Sequence, residues 1–253
     1  MSLISQLTKL TTATLTLLLF NCLFINFAQA GTMYRISQES APGLGDFDDN
    51  ILGFIDPFRT SQTAFSYYRY FGGSFNGFRP TLQSNISHLF LLDAADGLSL
   101  LTVHDKPRDL GGGFASMRFD LENDTADIRF VDEPADFSRS TGSQFNFSWG
   151  WGSCCTDGAI IGSLDNDWTV FSQFNQLGVV EGGRLRGWKA FSAQGTSVNL
   201  NLAIGKRVRI DRESVPEPEV DVPEPEVDVQ ESASVFSLLT VSMISLLLAH
   251  RSD

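Results

Sequence analysis

The chain has 253 residues, with 30 acidic and 18 basic side chains and a net charge of −12 at neutral pH. Most of that charge sits in residues 211–231, nine acids against one arginine, whereas residues 31–210 carry 20 acids and 15 bases. A body so mildly acidic, without a basic stripe to replace phosphate counterions, excludes nucleic acid as a partner. Three cysteines in all exclude the disulfide framework that small secreted domains need.

The first element is an export signal over residues 1–30. Lys9 supplies a positive start, residues 15–27 are almost wholly apolar, and Ala28-Gln29-Ala30 forms a small-x-small cleavage site with Gly31 as the mature N-terminus. Cys22 falls inside the apolar stretch, and Leu19-Phe20-Asn21 before it lacks the small residues of a lipobox.

Residues 31–210 read as one all-β ectodomain, a jelly-roll-like β-sandwich of eight to ten strands. Strands are expected at 87–92, 98–103, 114–121, 127–131, 144–149, 168–174, 184–191 and 198–204, with 206–210 as an added edge. Turn residues separate these runs at the intervals usual in sandwiches. The gap Asp93-Ala94-Ala95-Asp96-Gly97 reads as a hairpin loop, and residues 61–70 are the one candidate for a short helix.

Beyond the body, residues 211–231 form an acidic linker. Four prolines and mutually repelling carboxylates favour an extended, disordered chain. Residues 232–253 end the sequence with an apolar run at 235–249, then His250 and Arg251. As a helix that run measures about 22 Å at ~1.5 Å per residue. A bilayer core is about 30 Å thick, so the run suits a temporary membrane stop, with one short hydrophobic helix.

Within the linker, Val215-Pro216-Glu217-Pro218 recurs as Val222-Pro223-Glu224-Pro225. A doubled Pro-Glu-Pro, a short membrane segment and a basic stop together resemble the PEP-CTERM sorting signal of bacterial surface proteins. The resemblance implies an exosortase-type membrane transpeptidase as partner, cutting near the motif, and delivery to the cell surface or extracellular matrix. The usual two or more closing arginines of that signal are here reduced to Arg251 beside His250. Residues 39–43, 46–53, 87–90, 96–100, 103–105 and 149–162 also resemble cyanobacterial-type PEP-CTERM ectodomains. That resemblance implies location and fold, and no reaction.

Five groups of residues bear chemistry. Adjacent Cys154 and Cys155 lie in a turn-like segment, and outside the cytosol they form a vicinal disulfide, remain two thiols, or bond other chains. The loop acids Asp46, Asp48 and Asp49, and separately Asp165 and Asp167, offer the closely spaced oxygens that Ca²⁺ takes. The same residue types also serve β-turns by local hydrogen bonding. A simple hairpin register sets residue 88 opposite 102 and 86 opposite 104. His88 and His104 then share one sheet face, within reach of Zn²⁺ or of acid–base work, or each bonds a backbone carbonyl.

Trp149, Trp151 and Tyr67-Tyr68-Arg69-Tyr70 suit sugar stacking if exposed and a core if not. Asp132, Glu133 and Asp136 are the nearest approach to a hydrolase's clustered carboxylates, and they read as a loop. The expectation is a non-catalytic structural or adhesive surface protein. A carbohydrate-binding module of an exopolysaccharide matrix is the alternative, and a secreted hydrolase the third. Structural calcium is the one cofactor the sequence suggests.

Overall fold

The computed structural model describes residues 32–109, 111–122, 125–139, 142–164 and 168–212. The expected signal peptide with its Ala30–Gly31 junction, the linker beyond residue 212, both Pro-Glu-Pro motifs and the tail lie outside the described residues. So do Asp165 and Asp167.

The described residues are overwhelmingly β. In chain order come β1 (Tyr34–Gln38), β2 (Ile51–Ile55), β3 (Phe58–Arg59), α1 (Ala64–Tyr68), β4 (Ile86–Ala94) and β5 (Gly97–His104). They are followed by β6 (Gly112–Glu122), β7 (Asp127–Val131), a 3₁₀ turn (Pro134–Asp136), β8 (Phe137–Arg139) and β9 (Gln144–Trp151). The last five strands are β10 (Asp157–Gly162), β11 (Thr169–Val180), β12 (Gly187–Phe191), β13 (Ser197–Leu200) and β14 (Val208–Arg212). Two seven-stranded sheets result. One has the order β2-β1-β14-β11-β6-β9-β8; the other runs β13-β12-β4-β5-β10-β7, with β3 paired to β4.

Period-two patterning explains the first sheet. Along β6, Ala115, Met117, Phe119 and Leu121 point inward, and along β9 Phe145, Phe147, Trp149 and Trp151 do the same. These residues form one apolar cluster with Leu89, Leu91, Leu100, Ala159 and Ile161 of the second sheet. In β4 and β5 the apolar run is nearly continuous, as expected of strands buried on both faces. Their other face carries a second cluster, in which Phe90, Leu92, Leu101 and Val103 meet Tyr68 of α1 and Phe75 of the following loop.

Among the described residues, fourteen strands exceed the eight to ten expected. Short strands such as β2, β3 and β8 carry too few residues to show a period. β10 was hidden by its glycines: a Cβ on Gly158 would collide with the Thr102 carbonyl on β5. The expected helix at 61–70 is cut to five residues, Ala64–Tyr68. Thr63 caps its start by accepting a hydrogen bond from the Ser66 amide, and Arg69 ends it in the left-handed conformation.

The β4–β5 hairpin corrects the expected register. Ala94 pairs with Gly97, leaving a tight turn of Ala95 and Asp96 instead of a five-residue loop. Ser87 therefore lies opposite His104, and His88 opposite Val103. A shift of one residue sends a side chain to the other face, so His88 and His104 point to opposite sides of the sheet.

Candidate functional site

Three carboxylates converge at one corner of the second sheet. Asp132 and Glu133 follow β7, and Asp157 opens β10; each offers an oxygen within 4.8 Å of the others. The 3₁₀ turn holds Asp136 beside them, its amide donating to the Glu133 carbonyl at 3.0 Å. Tyr70, just past α1, hydrogen bonds the Asp132 carboxylate.

Crowding and burial set the protonation of this corner. Burial, then the charges of Asp136 and Asp132, pushes Asp157 up to about 8. Its Oδ1 accepts from the Gly158 amide at 2.8 Å and its Oδ2 from the Gly150 amide at 3.2 Å, which hold the side chain in place. Burial also raises Asp132 to about 6, against the opposing hydrogen bond from Tyr70. Asp136 rises to about 6 through burial and its contact with Glu133. Tyr70 is raised by burial and by Asp132.

At neutral pH the corner thus keeps a proton on Asp157. Its crowded oxygens could instead supply three ligands to a hard cation, whose charge would reverse these shifts. Asp132, Glu133 and Asp136 belong together as their spacing suggests. What sequence reasoning missed is Asp157, whose signal was an acid at the head of the apolar run Ala159-Ile160-Ile161.

Two residues before Asp157, Cys154 and Cys155 are joined by a disulfide. Cys154 is exposed and Cys155 half-buried. The turn carrying the ring is tied on both sides: Ser153 N donates to Glu181 Oε2 at 3.2 Å, and Thr156 N donates to the Gly73 carbonyl at 3.2 Å. Thr156 Oγ1 in turn accepts from the Phe75 amide at 2.8 Å.

The histidines serve the interior. Nε2 of His88 accepts from the Gln83 amide at 2.8 Å, and Nδ1 lies 3.1 Å from the Val103 carbonyl, so the neutral ring carries its proton on Nδ1. His104 lies between the sheets, its ring parallel to Trp151 at 5.2 Å and tilted on Trp149 at 4.5 Å. Neither of its nitrogens has a hydrogen-bond partner. Burial lowers His88 to about 4 and His104 to about 3. Their opposite faces rule out the shared zinc or acid–base pair.

The expected aromatic platform is also corrected. Trp149 and Trp151 are 0% and 3% exposed, because β9's alternation turns both inward, and Tyr68 is buried in the second cluster. Of the expected set Tyr70 is exposed and Tyr67 half-buried, and further exposed rings lie at Phe65, Phe71 and Phe78, the last two 79% and 84% exposed.

Around Asp46 the loop is bound internally. The Asp46 carboxylate accepts from the Ser40 amide and hydroxyl and from Asn50 Nδ2. Asp48 pairs with Arg209, and Asp49 is exposed. The acids of this loop expected to hold calcium thus act, in Asp46 and Asp48, on the protein's own donors.

Comparison with protein-family models, with curated proteins and with solved structures found no match for this chain.

Proposed function

We propose that this is an exported, non-catalytic surface or matrix protein. A β-sandwich ectodomain is followed by an acidic linker and a PEP-CTERM-type tail that an exosortase-type transpeptidase processes. The observation carrying this reading is the doubled Val-Pro-Glu-Pro at 215–218 and 222–225, ahead of the short apolar run. The Cys154–Cys155 disulfide on an exposed turn supports it, since such bonds persist in oxidising compartments. The apolar cluster shared by both sheets supports the sandwich.

Intact mass of the protein recovered from its host's surface or medium tests the reading. A chain beginning at Gly31 and ending near 216–225 is the expected result. A mass running through Asp253 would leave the tail a simple anchor and remove the reading's main support.

Glycan contact is the second reading. With the tryptophans buried, it rests on the exposed rings of Tyr70, Phe71 and Phe78, all three in the loop between α1 and β4.

A further inference from the structure

Away from the acidic corner, an open cavity of about 510 Å³ lies among the β5–β6 loop, the turn after β11 and the start of β12. Its volume falls within the ~300–1,000 Å³ usual for small-molecule sites. Lys106, Arg108 and Arg186 line it, and Asp109 is its one acid. Among the described residues, none of the three cations is engaged in an ion pair. Asp109 is partly occupied, accepting from the Gly111 amide at 3.2 Å. In a body with more acids than bases, this is a local positive field, which concentrates anions.

The cavity walls are held from behind. Asp105, 3% exposed, accepts from the Asn85 amide at 2.6 Å and from Trp151 Nε1 at 3.0 Å. The Asn85 carbonyl accepts the Arg186 amide at 2.7 Å, which places this arginine, just before β12, on the rim. Asn85, Asp105 and Arg108 all have left-handed φ, at 61°, 69° and 64°. Non-glycine residues keep that conformation only where their surroundings over-determine it. Opposite them, Glu181 and Gly182 form a two-residue turn with both φ positive. Beneath it Gly111 and Gly183 pack backbone to backbone, where a Cβ on either would collide.

Arg186 also borders a second cavity of about 470 Å³, which Arg184 shares with the apolar side chains of Leu177, Val179 and Leu202. Charge on one side of Arg186 and aliphatic surface on the other match a ligand with a carboxylate beside an apolar ring face. We infer that this double cavity binds a carboxylate-bearing saccharide chain, such as a uronic acid polymer. The charged groups meet Lys106, Arg108 and Arg186, and the sugar's C–H face rests on Leu177 and Val179. This deepens the surface-protein reading and rests on it for the supply of ligand.

The test is calorimetric titration of the full chain in a neutral detergent. The probes are a short oligogalacturonate, the same oligomer with its carboxyls reduced to alcohols, and inorganic phosphate. Expected are saturable binding of the oligogalacturonate, weakened by added salt, and affinity at least tenfold lower for the reduced oligomer. Lys106→Gln combined with Arg186→Gln should cost at least tenfold, and Arg79→Gln, on a separate surface, less than twofold. Lys106→Gln alone, at an exposed side chain, serves if the double variant fails to fold.

No saturation by the oligogalacturonate, equal binding of the reduced oligomer, or indifference to the variants would each overturn the assignment. Phosphate binding as tightly as the oligomer would make this a small-anion site and overturn it as well. A processed tail with no glycan binding would sink this inference alone. An unprocessed tail would sink the sorting reading and leave the binding result standing.

Discussion

Asp105 and Trp151 join the two sheets through one hydrogen bond: the carboxylate just past β5 accepts the indole N–H of β9 at 3.0 Å. Its other oxygen accepts the Asn85 amide, so a single buried side chain satisfies two donors far apart in sequence. Asp105→Ala leaves both donors unpaired, at about 1–3 kcal/mol each. Urea denaturation should show a loss of about 3 kcal/mol. Asp105→Asn, which retains one acceptor oxygen, should lose less.

His104 carries the opposite lesson, a buried polar ring without a polar partner. Replacing a buried unsatisfied group by an apolar one of similar shape is neutral or favourable. His104→Phe should therefore match or exceed the parent in melting temperature at pH 7.

The two histidines also set an acid limit. Their folded values, about 4 and about 3, lie below the ordinary 6.5. The unfolded chain then binds protons that the folded one refuses, so their stabilisation is complete above pH 6.5 and drains away as pH falls towards 3. In a series of denaturation midpoints across that window, His104→Phe should flatten the decline. An unchanged slope would refute the assignment.

Asp157 works in the other direction. Its folded value of about 8 lies above the ordinary 3.8, so its contribution is complete below that value and is lost as pH rises through 8. Stability should fall between about pH 4 and 8, the span between the two values, and Asp157→Asn should reduce that fall. If the corner accepts a hard cation, millimolar Ca²⁺ should raise the melting temperature at pH 8.5 and act weakly at pH 5, where protons already neutralise the acids. Identical midpoints in Ca²⁺ and EDTA at both pH values would rule the cation out.

Opening the vicinal disulfide should have a small global effect and a clear local one. The ring spans adjacent residues, and the chain-entropy estimate for so short a loop is about 1 kcal/mol. With dithiothreitol, hydrogen exchange should quicken at the Thr156 and Phe75 amides, which tie this turn to the 71–76 segment. Amides in the centre of β6 should be unaffected.

The long strands were legible because β6, β9 and β11 repeat inward and outward residues often enough for the period to show. The hairpin strands were legible too, but their register was not. Asp93 and Ala94 have turn-like composition yet continue β4, and the resulting one-residue offset puts His104 on the opposite face from His88. The acidic corner needed Tyr70, Asp132 and Asp157 from three separate segments, and no sequence spacing announces such a meeting. The cluster at Asp46 was conspicuous in sequence for a different reason: its neighbours Ser40 and Asn50 supply the partners of a self-contained turn.

The glycine contact beneath the cationic cavity divides it into parts that can vary and parts that cannot. Gly111 and Gly183 touch through their main chains, so no side chain can be introduced there without separating the β6 start from the β11 turn. Lys106, Arg108 and Arg186 project from the rim above. Retuning by mutation, whether by an engineer or by drift, is therefore confined to that rim: its charge can be edited residue by residue while the shape underneath stays constant.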